Sequence, residues 1–286
     1  MSGLTQGSIY ALIGLGFTII YAVTQIINFA QGEFVMLGGM FSYILAVKAG
    51  LPMPLALLIA IVIAAAVGAL MYILAIRTAR RASVISLIII TIGAAIFIRG
   101  IAGNQFGVNA VSPPAFTTSE SIQLGSLDAY IEPQAIWIIG TTFVVTILLY
   151  LFLSHTMVGK ALRACAVNPS AARLVGINTK TMALIAFIIA GAIGGIGGVV
   201  VAPLQDKYDM GIMLGLRGFV AASIGGFMSP VATVIGGLVL GIVENLAIGL
   251  DWGPFTSAYK DVIPLVVLLL ILLIRSGKLA AAERAG

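Results

Sequence analysis

Charge is scarce in this chain. Asp, Glu, Lys and Arg make up 9% of its 286 residues, against 60% hydrophobic residues and a mean hydropathy of +1.16. So few charges cannot cover a water-exposed surface, which excludes a soluble globular enzyme and a disordered chain. Cysteine occurs once, at Cys165, so no internal disulfide can form; a small packed side chain is its simplest role. Histidine also occurs once, at His155, which excludes a multi-histidine metal site. Gly159-Lys160 lacks the first glycine and the Ser/Thr of a phosphate-binding loop, so ATP hydrolysis is not expected of this subunit. No metal, cofactor or catalytic constellation is expected in it. The net charge of +5 has no soluble basic domain to carry it, which argues against nucleic-acid binding.

Long apolar runs are what the chain does have. The first, about 4–23, is long enough to cross a ~30 Å hydrocarbon core at ~1.5 Å per residue and has no basic leader region before it, so it is expected to stay in the membrane. Further runs lie at about 35–47, 55–76, 83–101, 135–154, 182–202, 214–228, 231–250 and 261–275. Those at 35–47 and 214–228 are short for a crossing. The tight join at Ser229-Pro230 predicts a re-entrant or broken helix pair there. The 34 glycines suit close helix packing in lipid, and Gly191, Gly194, Gly195, Gly197 and Gly198 read as one packing face. The expected fold is an all-α polytopic membrane protein, one transmembrane domain over 1–286 with about 8 transmembrane helices, some of them broken.

Orientation follows from where the basic residues collect. Arg77, Arg80, Arg81, the four of 155–181, and Arg275, Lys278 and Arg284 make 10 of the 15, which puts their side in the cytoplasm. Between 102 and 134 there is no Lys or Arg but there are Glu120, Asp128 and Glu132, as expected outside. The turn at Asp206-Lys207-Tyr208-Asp209 falls outside too. Arg99 and Arg217 break the pattern and are expected to snorkel toward the interface.

Two places carry polar residues inside apolar runs: Asn28, Gln31 and Glu33 near the N-terminus, and Glu244-Asn245 near the other end. An ionised carboxylate at mid-bilayer costs about 3 kcal/mol even on the lenient insertion scale, so each acid needs a partner, water or a proton. Phe29 to Phe34 resembles the break of a discontinuous helix facing a pathway. A second reading places Glu33 at the cytoplasmic interface, capping the helix that begins at Phe34. On the first reading Asn28, Gln31, Glu33, Glu244 and Asn245 are candidates for the polar lining of a substrate pathway.

The stretch 155–181 is longer than a connection between two spans needs. Lys160, Arg163, Arg173 and Lys180 follow a helix-compatible pattern interrupted at Asn168-Pro169, which is the form of a cytoplasmic docking surface. Anchoring of these arginines to anionic lipid is the simpler alternative. A stand-alone channel or ion-coupled transporter would use the buried acids and leave this stretch unexplained. A membrane anchor for a soluble complex would do the opposite.

Gly7-Ser8-Ile9-Tyr10-Ala11-Leu12, Ile27-Asn28-Phe29-Ala30-Gln31-Gly32-Glu33-Phe34, Arg163-Ala164 with Ala171 through Asn178, and Ser257-Ala258-Tyr259-Lys260-Asp261 together resemble the permeases of branched-chain amino acid ABC transporters, of the LivH type. The resemblance spans nearly the whole chain. It implies an ABC importer permease fold in a bacterial inner membrane, paired with a second related permease. It also implies two cytoplasmic ATPases, which bind ATP and Mg, and a periplasmic solute-binding protein. It makes 155–181 the coupling segment: Asn168 and Pro169 start its helix, and Ala171, Ala172 and Gly176 keep the Ala-Ala-x-x-x-Gly core. Arg163 and Arg173 face the ATPase, and Asn178 closes the motif. Ser170 stands where the family usually has Glu, and Gln31 where it often has His. The segment Gly226–Thr233 is poorer in glycine than the family form. Branched-chain amino acids are the implied substrate; urea, short amides and aromatic or carboxylic acids are carried by other members.

Overall fold

The computed structural model describes residues 2–79, 82–107, 113–117, 122–123, 130–204, 209–227 and 229–249, with 262, 264–267 and 269 after them. Arg80, Arg81, Glu120, Asp128, Asp206, Lys207, Tyr208, Met228, the motif Ser257–Asp261 and the basic residues Arg275, Lys278 and Arg284 lie outside the described residues, as does most of the 261–275 run.

Six helices among the described residues are long and apolar enough to cross a membrane. They are α1 (Ser2–Thr24), α3 (Met53–Met71, continued by a π-helical turn Tyr72–Ile76), α4 (Val84–Phe106), α5 (Pro133–His155), α8 (Thr179–Val201) and α10 (Pro230–Gly249). The two runs too short for a crossing become α2 (Gln31–Tyr43, then a π-helical turn Ile44–Lys48) and α9 (Met210–Ile224). The basic stretch forms two short helices, α6 (Met157–Val167) and α7 (Pro169–Leu174). Between α4 and α5, Ile122–Gln123 pairs antiparallel with Tyr130–Ile131, a minimal ladder in an otherwise helical fold.

Helix α1 is enclosed, packing on α5, α8, α9 and α10, whereas α4 is mostly open to its surroundings. Inside lipid the hydrophobic effect does not drive helices together, so backbone proximity has to. At the α1–α10 crossing a Cβ on Gly7 would fall 2.7 Å from Leu238 Cα, closer than packed atoms come. At the α2–α8 crossing a Cβ on Gly38 would fall 2.7 Å from Gly195 Cα. The glycine face of α8 is thus spent on packing: Gly191 meets Ala64 of α3, Gly194 meets Phe34 and Gly198 meets Val35.

The predicted break lies between α1 and α2. Helix α1 ends at Gln25, whose left-handed φ of 57° turns the chain, and residues 25–30 are not helical. The chain then re-enters, because Gln31 at the start of α2 lies against Ala190 and Gly194, midway along α8. Irregular backbone at membrane depth must find its hydrogen bonds within the protein. Thr91 of α4, fully buried, supplies them: its Oγ1 accepts from Phe29 N at 3.2 Å and contacts Ile27 O at 3.4 Å. Asn28 Oδ1 accepts from Ala30 N at 3.1 Å.

The α9–α10 turn is the second break. Gly226 and Phe227 both have left-handed φ, 76° and 60°. Phe227 is the residue that replaces conformational freedom with packing: its ring lies 5.6 Å from Phe219 and 4.8 Å from Tyr21, centroid to centroid. Those contacts hold a backbone conformation that costs an L-residue about 1 kcal/mol.

Candidate functional site

Each buried acid among the described residues is paired with an arginine. Glu33, in the first turn of α2, is 1% exposed, and its Oε1 accepts from Arg99 Nε at 3.1 Å and Nη2 at 2.6 Å. Glu244 of α10 accepts through Oε1 from Arg217 Nη2 of α9 at 3.1 Å, and through Oε2 from Tyr10 of α1 at 2.7 Å. The Arg217 guanidinium also sits 5.4 Å from the Tyr10 ring centre, a cation–π contact. The snorkelling expected of Arg99 and Arg217 is corrected here: a buried cation is tolerable beside a buried anion, and both point inward to one. The interfacial, capping reading of Glu33 falls with it, since the carboxylate is enclosed between α2, α4 and α9.

Gln31 is fully buried, its amide nested between Gly16 of α1 and Gly194 of α8 and donating to Ala190 O at 3.0 Å. Its Oε1 and the Nδ2 of Asn28 have no partner among the described residues. Asn28, Gln31 and Glu33 therefore gather at the α1–α2 break, while Glu244 belongs to the separate α1–α9–α10 lock. Asn245 donates to Gly241 O of its own helix at 3.0 Å and joins neither group. Arg99, Arg217 and Tyr10 are the residues that sequence reasoning did not assign to the acids. The available signal was that two arginines and two acids were out of place in equal number.

Helix α5 leads into α6 and α7. Thr156 caps α6 by accepting from Gly159 N at 2.9 Å. Asn168 ends α6 and starts α7: its Oδ1 accepts from Ser170 N and Ala171 N, both at 3.0 Å, and Pro169 fills the first helical position. Ala172 is buried, and Gly176, at φ 86°, closes the helix while Ile177 N donates to Ala172 O at 3.0 Å. Asn178 then caps α8 through Lys180 N and Thr181 N at 3.1 and 3.3 Å. Arg163, Ala171, Arg173, Gly176 and Asn178 are exposed, and Arg173 Nε contacts Pro169 O at 3.3 Å. Leu174 and Val175 are 89% and 76% exposed at the tip. Cys165, on the inner face of α6, is packed and its thiol is pushed up by burial, with the Arg173 charge acting in the other direction.

A crevice of about 200 Å³ lies beside this end, bounded by Leu162, Arg163 and Ala166 of α6, the last turns of α1 and α5, and Ser229, Pro230 and Val231.

Broken helices around buried ion pairs, with a helical pair protruding at one end, are the form of a multi-pass membrane protein. A solved chain titled "PsaBC from Streptococcus pneumoniae in complex with Fab" shares this fold at a TM-score of 0.50 and 11% identity, over 94% of this chain and 89% of that one. The family described as branched-chain amino acid transport system / permease component matches residues 1–272, and the chain belongs to it. It is 32% identical to the high-affinity branched-chain amino acid transport permease LivH of Escherichia coli K12, over 96% of this chain and 91% of that protein. To BraD of Pseudomonas aeruginosa it is 33% identical, over 96% and 92%. This chain is accordingly a membrane-spanning ABC transporter permease subunit.

Proposed function

We propose that this subunit forms half of the pathway of an ATP-driven importer for branched-chain or closely related apolar amino acids, in a bacterial inner membrane. Its partners are a second related permease, two cytoplasmic ATPases that bind ATP and Mg, and a periplasmic solute-binding protein. The chain itself hydrolyses nothing. Asn28, Gln31 and Glu33 belong to the lining of the pathway at the α1–α2 break.

The observation that carries this reading is the α6–α7 pair: a helix of six residues capped at both ends, offering Arg173, Leu174 and Val175 to a partner while Ala172 anchors it to the membrane domain. A short capped helix transmits force because it is rigid, and its apolar tip supplies the buried anchor a stable interface needs. Closure of the ATPase dimer moves α6 and α7, and the packing of α6 on α1 and α5 carries that movement into the membrane helices. An ion-coupled carrier is disfavoured by the acids, since the charge of each is already balanced by an arginine.

The test is the ATPase rate of the complete complex in nanodiscs with its binding protein and a panel of candidate solutes, for wild type and Arg173→Glu. One solute stimulating turnover, with uncoupling or loss of the ATPases on charge reversal, supports the reading. A chain that purifies without an ATPase and transports alone overturns it.

A further inference from the structure

Beside the Glu33–Arg99 pair, α2, α4 and α9 surround a recess of about 210 Å³ walled by Phe29, Ile92, Ile96, Ile212 and Leu216. That is roughly seven times the ~30 Å³ share of one water molecule in the liquid, which suits a single small metabolite. The two charges at its end are used unevenly. Glu33 Oε1 takes both hydrogen bonds from Arg99, whereas the buried Oε2 has no partner among the described residues. A carboxylate oxygen withdrawn from water and left without a donor is costly, so one held in that state calls for a function. Arg99, with 23% of its side chain exposed, uses Nε and Nη2 and keeps further N–H groups of its fork.

An acceptor and a donor of opposite charge at the end of an apolar slot complement a zwitterion with an apolar tail. We propose that this recess is a transit station for an apolar α-amino acid. The ammonium group is taken by Glu33 Oε2, the carboxylate by the spare N–H groups of Arg99, and the side chain by Ile92, Ile96 and Leu216. The four charges then alternate in sign, so the head group sheds its water without adding net charge to the membrane interior. This inference rests on the importer role proposed above and adds to it the residues that select the substrate class.

In this conformation the anionic end of the recess is covered, while Ile92, Ile96 and Ile212 of its walls are exposed. A Cβ on Gly211 would lie 3.0 Å from Glu33 Oε2 and 2.7 Å from Gly32 O, so the backbone of α9 covers that oxygen directly. Entry of the ammonium group requires α9 to withdraw from α2. The far end of α9 leads into the turn beside α6, so the same movement that couples ATP to the permease opens the station.

The experiment uses proteoliposomes holding the complete transporter, with partner permease, ATPases and binding protein, and a diazirine analogue of leucine as probe. Illumination during ATP-driven uptake is followed by mapping of the crosslinked peptides. Adducts on 92–99 and 211–216 are expected in the wild type. In Glu33→Gln they fall by about tenfold or more, the loss of a hydrogen bond to a charged group. Uptake with adducts only elsewhere overturns the station and leaves the importer standing. ATP hydrolysis without uptake of any amino acid overturns both. If Glu33→Gln fails to assemble, the wild-type map alone decides.

Discussion

Arg217 and Glu244 face each other across the α9–α10 pair at 3.1 Å, both nearly enclosed, and Tyr10 of the central helix α1 closes the arrangement. A turn of two left-handed residues by itself leaves the angle between its helices loosely set. The ion pair, anchored far from that turn, holds the broken pair against α1.

Removing one partner leaves the other as an uncompensated buried charge. Glu244→Ala and Arg217→Ala are each expected to destabilise the protein by about 3–5 kcal/mol, read as loss of the folded fraction in mixed-micelle unfolding. The double variant Arg217→Met/Glu244→Leu should recover most of that loss; if it is no better than either single change, the pair does more than neutralise charge.

Thr91→Val keeps the shape of the side chain and deletes the hydroxyl that serves residues 27–29. A cost of about 1–3 kcal/mol is expected, because a buried backbone N–H loses its acceptor. Faster amide exchange should be confined to the segment 25–30 and the start of α2. Uniform exchange across α4 instead would mean that Thr91 serves only its own helix.

Asn168→Ala removes both cap hydrogen bonds of α7 at a cost of about 1 kcal/mol, while Asn168→Asp preserves them. Hydrogen exchange over 169–174 should rise in the first variant and not in the second. Because α7 is short, its cap matters more than it would in a long helix.

Gly38→Leu places a side chain where Gly195 of α8 already lies. Overpacking costs typically 1–3 kcal/mol, and here the obstruction is backbone, so the protein should lose monodispersity on size exclusion. Gly93→Leu, on the open face of α4 where nothing lies within 4 Å, should be tolerated.

Cys165 should react slowly with maleimide at neutral pH and faster as pH rises, since burial holds its thiol above the usual range and only the thiolate reacts. The sign is set by the folded state favouring the protonated form. That contribution is fully present below the unfolded thiol's pKa and is lost as pH climbs through the raised folded value. Rapid labelling at neutral pH in the intact protein would show α6 to be detached from the bundle.

The spans, the break near Asn28 and the capped helix at Asn168-Pro169 were legible in the chain because each is local. Apolar runs, cap residues and proline act on the backbone within a few residues of where they stand. Even the need of Glu33 and Glu244 for partners could be read from the cost of burying them. What could not be read was which partner: Arg99 is 66 residues from Glu33, and Tyr10 is 234 from Glu244. A membrane interior makes pairing obligatory without saying between whom. Sequence by itself therefore determined that this is a helical membrane protein with two broken segments and a short capped helix after Asn168. Tertiary structure decided that two apparently misplaced arginines neutralise the two acids. It also decided that Gln31 packs between glycines of α1 and α8, and that one oxygen of Glu33 is buried without a donor beside an apolar recess. Those outcomes depend on where glycine lets helices touch, and close approach is a property of two helices at once.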